Sequence, residues 1–571
     1  MPFRRRRPPP SEPPAPDPVQ VAAGYHQRTK HGYQAFARSL GFLDWDSQPD
    51  PFRRFDDAAL QPLAIPDDDT TGYDALYDPR AATPRPLDSA SLASFLYHSL
   101  ALSAWKAVED NRWSLRVNPS SGNLHPTEAY LALPAIDGLL ETPALHHYAP
   151  REHALERRAG WTDAHWQRTC GALPAGAFLL ALTSIPWRES WKYGERAWRY
   201  CQHDVGHALG ALRLAAALMG WRLQLLPIAD DALDTLLGLD RASDFPDDEP
   251  EHADLLAVVL PGDADPIDPG RLQLETPPDV DPDAMQWSGP ARPLSSEHHP
   301  WEIVEVVGRF CRRPTPPGAD DWPHTIGSGH APSPLAANRP DELPAQPASA
   351  IIRGRRSAVS MDAKSPLPVA HLWRMLARVV PALAPVPWDV VPWPISVHLA
   401  LFVHRVDGLD PGLYALVRDD AARADLQAAM RDEFAWSTPP DTPDGLSLFQ
   451  LAPGDVRGTA RSVSCGQDIA ADGAFSLGML ARFDDSLAER GAPAYRELFW
   501  ETGLIGQVLY LEAEAVGLRS TGIGCFFDDP VHGALGLTDS RYQSLYHFTV
   551  GGPVHDPRIS DLPAYPAPTA G

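Results

Sequence analysis

One stretch of this chain recurs almost 300 residues further on. Asp204-Val205-Gly206-His207-Ala208-Leu209-Gly210, closing at Gly220-Trp221-Arg222, is matched by Glu501-Thr502-Gly503-Leu504-Ile505-Gly506-Gln507, closing at Gly517-Leu518-Arg519. Gly206 to Gly503 and Gly220 to Gly517 both span 297 positions, and Leu237-Gly238-Leu239 returns as Leu535-Gly536-Leu537 at 298. An acidic residue, spaced glycines and an apolar helical run repeated at one offset indicate internal duplication. A period this long specifies two like domains and not a solenoid. The 571 residues, 44% of them hydrophobic, suffice for two cores.

Composition narrows the rest. A formal net charge of -25 repels nucleic acid and anionic membranes, and no run approaches the roughly 20 apolar residues that span a bilayer. A soluble protein without nucleic-acid or membrane partners is expected. Five scattered cysteines (Cys170, Cys201, Cys311, Cys465, Cys525) without a CxxC pair argue against a disulfide framework or zinc ribbon and favour a reducing cytoplasm. Arg4 to Arg7 and the prolines that follow lack an apolar run and cleavage site, so residues 1–20 read as a disordered tail. Prolines crowd residues 263–349, a wrapping linker in which Trp301 to Val307 has helical spacing. The domains are then 21–262 and 350–571.

Hydrophobic periodicity predicts in the first domain a helix over 91–108, strands over 129–133, 178–183 and 255–260, and a long helix over 199–219. In the second it predicts helices over 368–379 and 502–516 and strands over 397–404 and 544–550. Gly517 has the position of a left-handed C-cap. The fold class is α+β, two tandem α/β sandwiches around mainly antiparallel sheets.

Asn118-Pro119-Ser120-Ser121-Gly122-Asn123-Leu124-His125-Pro126 resembles the flavin-contacting loop of the nitroreductase superfamily, Arg355-Arg356-Ser357 its phosphate motif, and Gly522-Ile523-Gly524-Cys525-Phe526 its late flavin loop. With Tyr25-His26, Thr29-Lys30-His31, Leu43-Asp44-Trp45 and Lys192-Tyr193, the chain is similar to the SagB-type (azoline oxidase-like) dehydrogenase branch over residues 24–260 and 350–562. The resemblance implies a nitroreductase-like fold in each half and FMN as cofactor. It also implies Arg558 as an aid at the phosphate and Lys192-Tyr193 as the catalytic pair for proton removal.

The residues themselves fit that chemistry. Arg355, Arg356 and Ser357 place two cations and a hydroxyl within three positions, as a dianionic phosphate requires. Gly522 and Gly524 permit close backbone approach near N5, beside the Cys525 amide. Asn123, on a turn with Pro119, Ser120 and Ser121, offers both donor and acceptor to a pyrimidine edge. Taken singly, the arginines read equally as a solvated turn, the serine loop as an ordinary turn, and the lysine and tyrosine as an exposed cation and a packed ring. His203 and His207, i and i+4 beside Cys201, have metal-like spacing without a second ligand cluster, so no metal is expected. Gly522-x-Gly524 is not a dinucleotide fingerprint, and Cys525 reads as a packing or backbone group.

The two copies are not equivalent. Members of the resembled family are typically dimers with flavin at the interface. Here the serine loop is present only in the first half, whose late segment Leu225-Leu226-Pro227-Ile228-Ala229 lacks glycine. The arginine motif is present only in the second, whose counterpart of the serine loop is Val391-Pro392-Trp393-Pro394-Ile395-Ser396. The expectation is an intramolecular pseudo-dimer, monomeric in solution, with one FMN site. The activity implied is hydride transfer between flavin N5 and a small-molecule or peptide-derived substrate. Alternatives are an NAD(P)H-dependent nitro or quinone reductase, a flavin-free scaffold in a biosynthetic complex, and an interaction protein using its polyproline segments.

Overall fold

The computed structural model describes residues 16–565 apart from 68, 263, 265–266, 269–284, 319–320, 324–330 and 338–345. The arginine- and proline-rich tail up to residue 15 and much of the linker lie outside the described residues. Residues 18–20, assigned to the tail on sequence, open a helix instead: Pro18–Arg28 starts with proline in its first turn, and the Asp17 carboxylate accepts from Val19 N at 3.0 Å.

Each half contains an antiparallel sheet with one strand order. Across the first run Ala154–Gly160, Ala144–Ala149, Thr127–Leu133, Phe178–Ser184, His252–Leu260 and Arg222–Leu225, with Leu60–Pro62 and the linker strand Gln286–Trp287 added along Ala154–Gly160. Across the second run Leu448–Pro453, Gly412–Leu416, Val397–Val403, Phe475–Arg482, Tyr542–Gly551 and Arg519–Ile523. The duplication is visible in the elements. The long helices Ala197–Leu218 and Ala494–Ala515 begin 297 positions apart, as do the edge strands beginning at Arg222 and Arg519. The short helices Asp230–Leu237 and Asp528–Leu535 begin 298 apart. Gly517, at φ 76°, ends the second long helix as expected.

The two long helices pack on each other and are buried almost throughout, so one hydrophobic core runs across both domains. Trp198 stacks on Tyr495 with centroids 5.2 Å apart, and Trp500 Nε1 donates to Gln202 Oε1 at 2.7 Å. Arg196 and Arg199 both pair with buried Asp528 across the boundary, at 3.0 and 2.9 Å. The chain ends interlock the halves. Ser560–Leu562 from the second domain pairs with Leu102–Val108 of the first, in a small sheet completed by Asn111–Arg116. The ring of His26 in the first helix meets Tyr495 Oη at 3.1 Å.

The expected helix over 91–108 is a correction. It spans Ser89–Tyr97 only, and Leu102–Val108 is a strand. Beyond Tyr97, His98 Nδ1 bonds to Ser94 O at 2.8 Å and Ser99 Oγ donates to Phe95 O at 2.7 Å, so polar side chains satisfy terminal carbonyls and the helix stops. Pairing with strands close and distant in sequence then decides the fate of the apolar residues that follow. The linker helix is present as Glu302–Phe310, with Val304 and Val307 buried. Among the described residues no helix is long and apolar enough to cross a membrane.

Candidate functional site

A cavity of about 460 Å³ lies between the domains and takes its wall from both. Pro119, Ser120, Ser121, Asn123 and Tyr193 line it from the first; Arg355, Arg356, Ser357, Gly522, Gly524 and Cys525 line it from the second. Eleven residues singled out on sequence thus converge from three remote segments and one helix end. Arg558 does not reach the wall. It is a solvent-facing cation paired with Asp556 at 2.6 Å, while its neighbour Ile559 lines the cavity.

The serine loop is a chain of left-handed residues: Gly122, Asn123 and His125 have φ of 59°, 61° and 53°. Glycine at 122 leaves room for the catalytic candidates, since a β-carbon there would lie 2.5 Å from Tyr193 Oη and 3.1 Å from Lys192 Nζ. Lys192, off the cavity wall itself, therefore sits directly behind the loop. The loop is tied to the first long helix by Asp204, whose carboxylate accepts from Ser121 N at 3.0 Å and Ser121 Oγ at 3.1 Å. Ser120 Oγ accepts from His125 N at 2.8 Å. Asn123 is partly committed: Nδ2 donates to Ser114 O at 2.8 Å, and Oδ1 lies 3.0 Å from His125 Nε2. One amide hydrogen and one lone pair remain for a ligand.

Helix Pro186–Tyr193 delivers the Lys192-Tyr193 pair. It ends at Gly194, with φ 55°, where a β-carbon would lie 2.2 Å from Arg38 O. Tyr193 is set against Tyr200 with centroids 4.4 Å apart, and burial pushes its hydroxyl pKa well up, keeping it neutral and able to donate. One turn earlier, Glu189 is fully buried and its carboxylate oxygens have no hydrogen-bond partner among the described residues; burial, then the nearby Asp204, raises its pKa well above the ordinary value. Burial likewise raises Asp204 to about 7, against the opposing hydrogen bonds from the serines. The first-domain wall thus keeps two protonatable carboxyls behind a lysine and a tyrosine.

The second-domain wall is cationic. Arg355 is only 4% exposed and, among the described residues, makes no ion pair; Nη2 donates to Arg116 O at 3.0 Å and the guanidinium lies 5.0 Å from the Tyr510 ring centroid. Burial lowers its pKa to about 10. Among the described residues the Arg355 Nε has no hydrogen-bond partner, whereas the Arg356 Nε faces the half-exposed Asp561 carboxylate at 3.7 Å. A buried cation without a counter-charge is costly unless an anion completes it. Ser357 Oγ lies 3.0 Å from Tyr510 Oη, which accepts from Gly522 N at 2.9 Å. The glycine expectation changes in its cause. A β-carbon at Gly522 would be 1.8 Å from Tyr546 Oη, and one at Gly524 2.1 Å from Tyr200 Cε1. Tyrosine rings of the cavity floor, not a ligand alone, exclude side chains there.

Sequence reasoning missed Glu189, Tyr510, Tyr546 and the anchoring role of Asp204. Only Asp204 carried a signal, as the acidic residue of the repeat. Its counterpart Glu501 does the same work in the second domain, accepting from Ser396 N at 3.1 Å and Val397 N at 3.2 Å. There the loop is sealed: Arg418 pairs with Glu501, and Trp393 is fully buried between Trp322 and Trp500. His203 and His207 turn toward the second domain, to Thr502 Oγ1 at 3.0 Å and Tyr546 Oη at 3.2 Å. No group of three potential metal ligands occurs among the described residues.

Residues 352–552 match the Nitroreductase family. A protein from Anabaena variabilis designated a nitroreductase has the same fold over nearly the whole chain, with TM-score 0.63 and 22% identity, covering 94% of this chain and 99% of its own. An FMN complex from Exiguobacterium sibiricum designated a nitroreductase aligns with 39% of this chain and 92% of its own, at TM-score 0.22 and 14% identity. The E. coli microcin synthetase McbBCD complex with truncated pro-MccB17 bound aligns over 38% of this chain and 77% of its own, at TM-score 0.27 and 18% identity. No curated protein matches the sequence. The chain is built from two nitroreductase-like domains.

Proposed function

We propose that the protein is an FMN-dependent oxidoreductase of the SagB-type dehydrogenase class, acting at a single site between its domains on a small-molecule or peptide-derived substrate. The observation that carries this reading is the buried Arg355 guanidinium, which makes no ion pair among the described residues and, with the half-buried Arg356, opens into the same cavity as the serine loop of the other domain. Arg355, Arg356 and Ser357 hold the phosphate; Ser120, Ser121 and Asn123 meet the ring from the first domain; Gly522, Gly524 and Cys525 pass along its edge. Bound there, the flavin supplies a hydride acceptor or donor at N5.

The chain's own groups handle the proton. Tyr193, neutral and on the wall, donates or relays a hydrogen at its Oη. Lys192 stands behind it as the base, beside Asp204, whose pKa burial raises to about 7, and Glu189, which burial holds well above the ordinary carboxylate range. Trp393 fills the corresponding loop of the second domain, which supports one site per chain and a monomer that needs no partner to complete it. The test is flavin stoichiometry after reconstitution of the purified protein. One FMN per chain is expected; two would overturn the single-site reading, and none would favour a scaffold.

A further inference from the structure

Two of the five cysteines meet beside the cavity, and one of them lines it. Cys525 lines the wall immediately after strand Arg519–Ile523 and Gly524. Cys465 comes from another element, the turn following helix Arg457–Val463. Their sulfurs are 2.8 Å apart, whereas Cys170, Cys201 and Cys311 are buried single thiols. A disulfide bond is about 2.05 Å long, so joining the pair needs an approach of less than about 1 Å.

The surroundings hold the two thiols together. Cys465 has φ 54°, a left-handed conformation that L side chains avoid and that persists only where neighbours impose it. Gln467 supplies that imposition: its Nε2 donates to Ser464 O at 3.0 Å and to Cys525 O at 2.9 Å, bridging both loops. Arg196 donates to Gly524 O at 3.3 Å and brings a cation behind Cys525. The hydrogen bond with Cys465 lowers the Cys525 pKa and raises that of Cys465, so one sulfur is favoured as thiolate and the other retains the proton. Both thiols are partly exposed, unlike the other three.

We propose that Cys465 and Cys525 form a reversible dithiol–disulfide couple adjoining the flavin cavity. Oxidation forms one S–S bond and releases two electrons and two protons. The acceptor is the oxidised flavin, which becomes its two-electron-reduced form, or a low-molecular-weight disulfide, which is cleaved to two thiols. The reverse step returns the dithiol. The couple stores two electrons beside a two-electron cofactor, doubling what one chain can hold. The flavin half of this proposal rests on the functional reading above; the bond between the sulfurs does not.

The test therefore begins with full-length protein freed of flavin. After equilibration with oxidised glutathione, the count of free thiols in denaturant is expected to fall from five to three, with a peptide cross-link joining Cys465 to Cys525, and to recover with dithiothreitol. Five thiols in every glutathione buffer would overturn the proposal, whether or not flavin binds. With FMN reconstituted, anaerobic titration of the oxidised protein is expected to consume two equivalents of a two-electron reductant per chain, and Cys465→Ser one. Cys465→Ala serves as the second variant should serine disturb the turn. One equivalent for the unaltered disulfide form would overturn electron exchange with the flavin.

Discussion

Gly206 and Gly503, the repeated glycines of the two long helices, face each other at the centre of the molecule. A β-carbon on Gly206 would lie 2.3 Å from Trp500 O and 2.9 Å from Gly503 Cα; one on Gly503 would lie 2.3 Å from His203 O and 2.8 Å from Gly206 Cα. The duplicated motif is thus an interface motif: each copy of the helix is grooved to receive the other. Alanine normally improves a helix by about 1 kcal/mol over glycine. Here overpacking dominates, and Gly206→Ala or Gly503→Ala is expected to destabilise by about 1–3 kcal/mol in urea denaturation. A gain in stability for either variant would refute the close approach.

Arg355→Ala removes a buried, charge-assisted donor from the cationic wall. A loss of about 1.5–3 kcal/mol in FMN affinity, roughly a 10- to 150-fold rise in Kd, is expected, with far-UV circular dichroism unchanged. Quenching of flavin fluorescence on titration measures it. Arg558→Ala, by contrast, alters an exposed pair and is expected to leave Kd within about twofold, as for other surface ion pairs.

Burial disfavours the charge of Asp204 and pushes its pKa up to about 7 in the folded chain, from an ordinary 3.8. A carboxyl with a raised pKa carries no penalty below about pH 4 and a growing one as pH rises toward 7. Asp204→Asn cannot ionise, so its stability relative to the unaltered protein is expected to increase through that window and then level off. Parallel denaturation curves at pH 4.5, 6 and 7.5 check it; a flat difference would show that Asp204 is not the titrating group.

His147 lies buried between Glu128 and Glu156, 2.9 Å from each. Burial alone would lower its pKa, but the two carboxylates outweigh it and raise the value to about 9 from 6.5. The stabilisation is full below about 6.5 and disappears as pH rises through 9. Thermal melts from pH 6.5 to 10 are expected to show a falling Tm whose slope lessens in His147→Gln.

Lys192→Ala is expected to retain bound FMN and lose substrate oxidation by a factor of about 100 or more, the usual contribution of a general base. Tyr193→Phe should lower turnover while preserving the packing against Tyr200. Normal turnover in Lys192→Ala would leave the lysine only a packing role behind Gly122.

What the sequence by itself determined is the doubling. The offset of 297 between Gly206 and Gly503 reappears in helix starts and edge strands, because a repeated pattern of apolar residues and glycines dictates the same local elements wherever it occurs. The serine loop, the arginine motif and the late glycines were legible as well, since each carries its chemistry in adjacent residues. The rest depended on contacts between distant segments. Nothing near Leu102 in sequence indicates that the chain leaves a helical pattern for a strand there, because the partners of strand Leu102–Val108 include Ser560–Leu562, 455 residues away at Lys106 and Asp561. Glu189, Tyr510 and Tyr546 entered the site only through packing, and Cys465 reached Cys525 across 60 residues. Periodicity fixes which face of an element is apolar; which partners that face meets, and which polar groups are left unpaired among them, is decided when the domains close on one another.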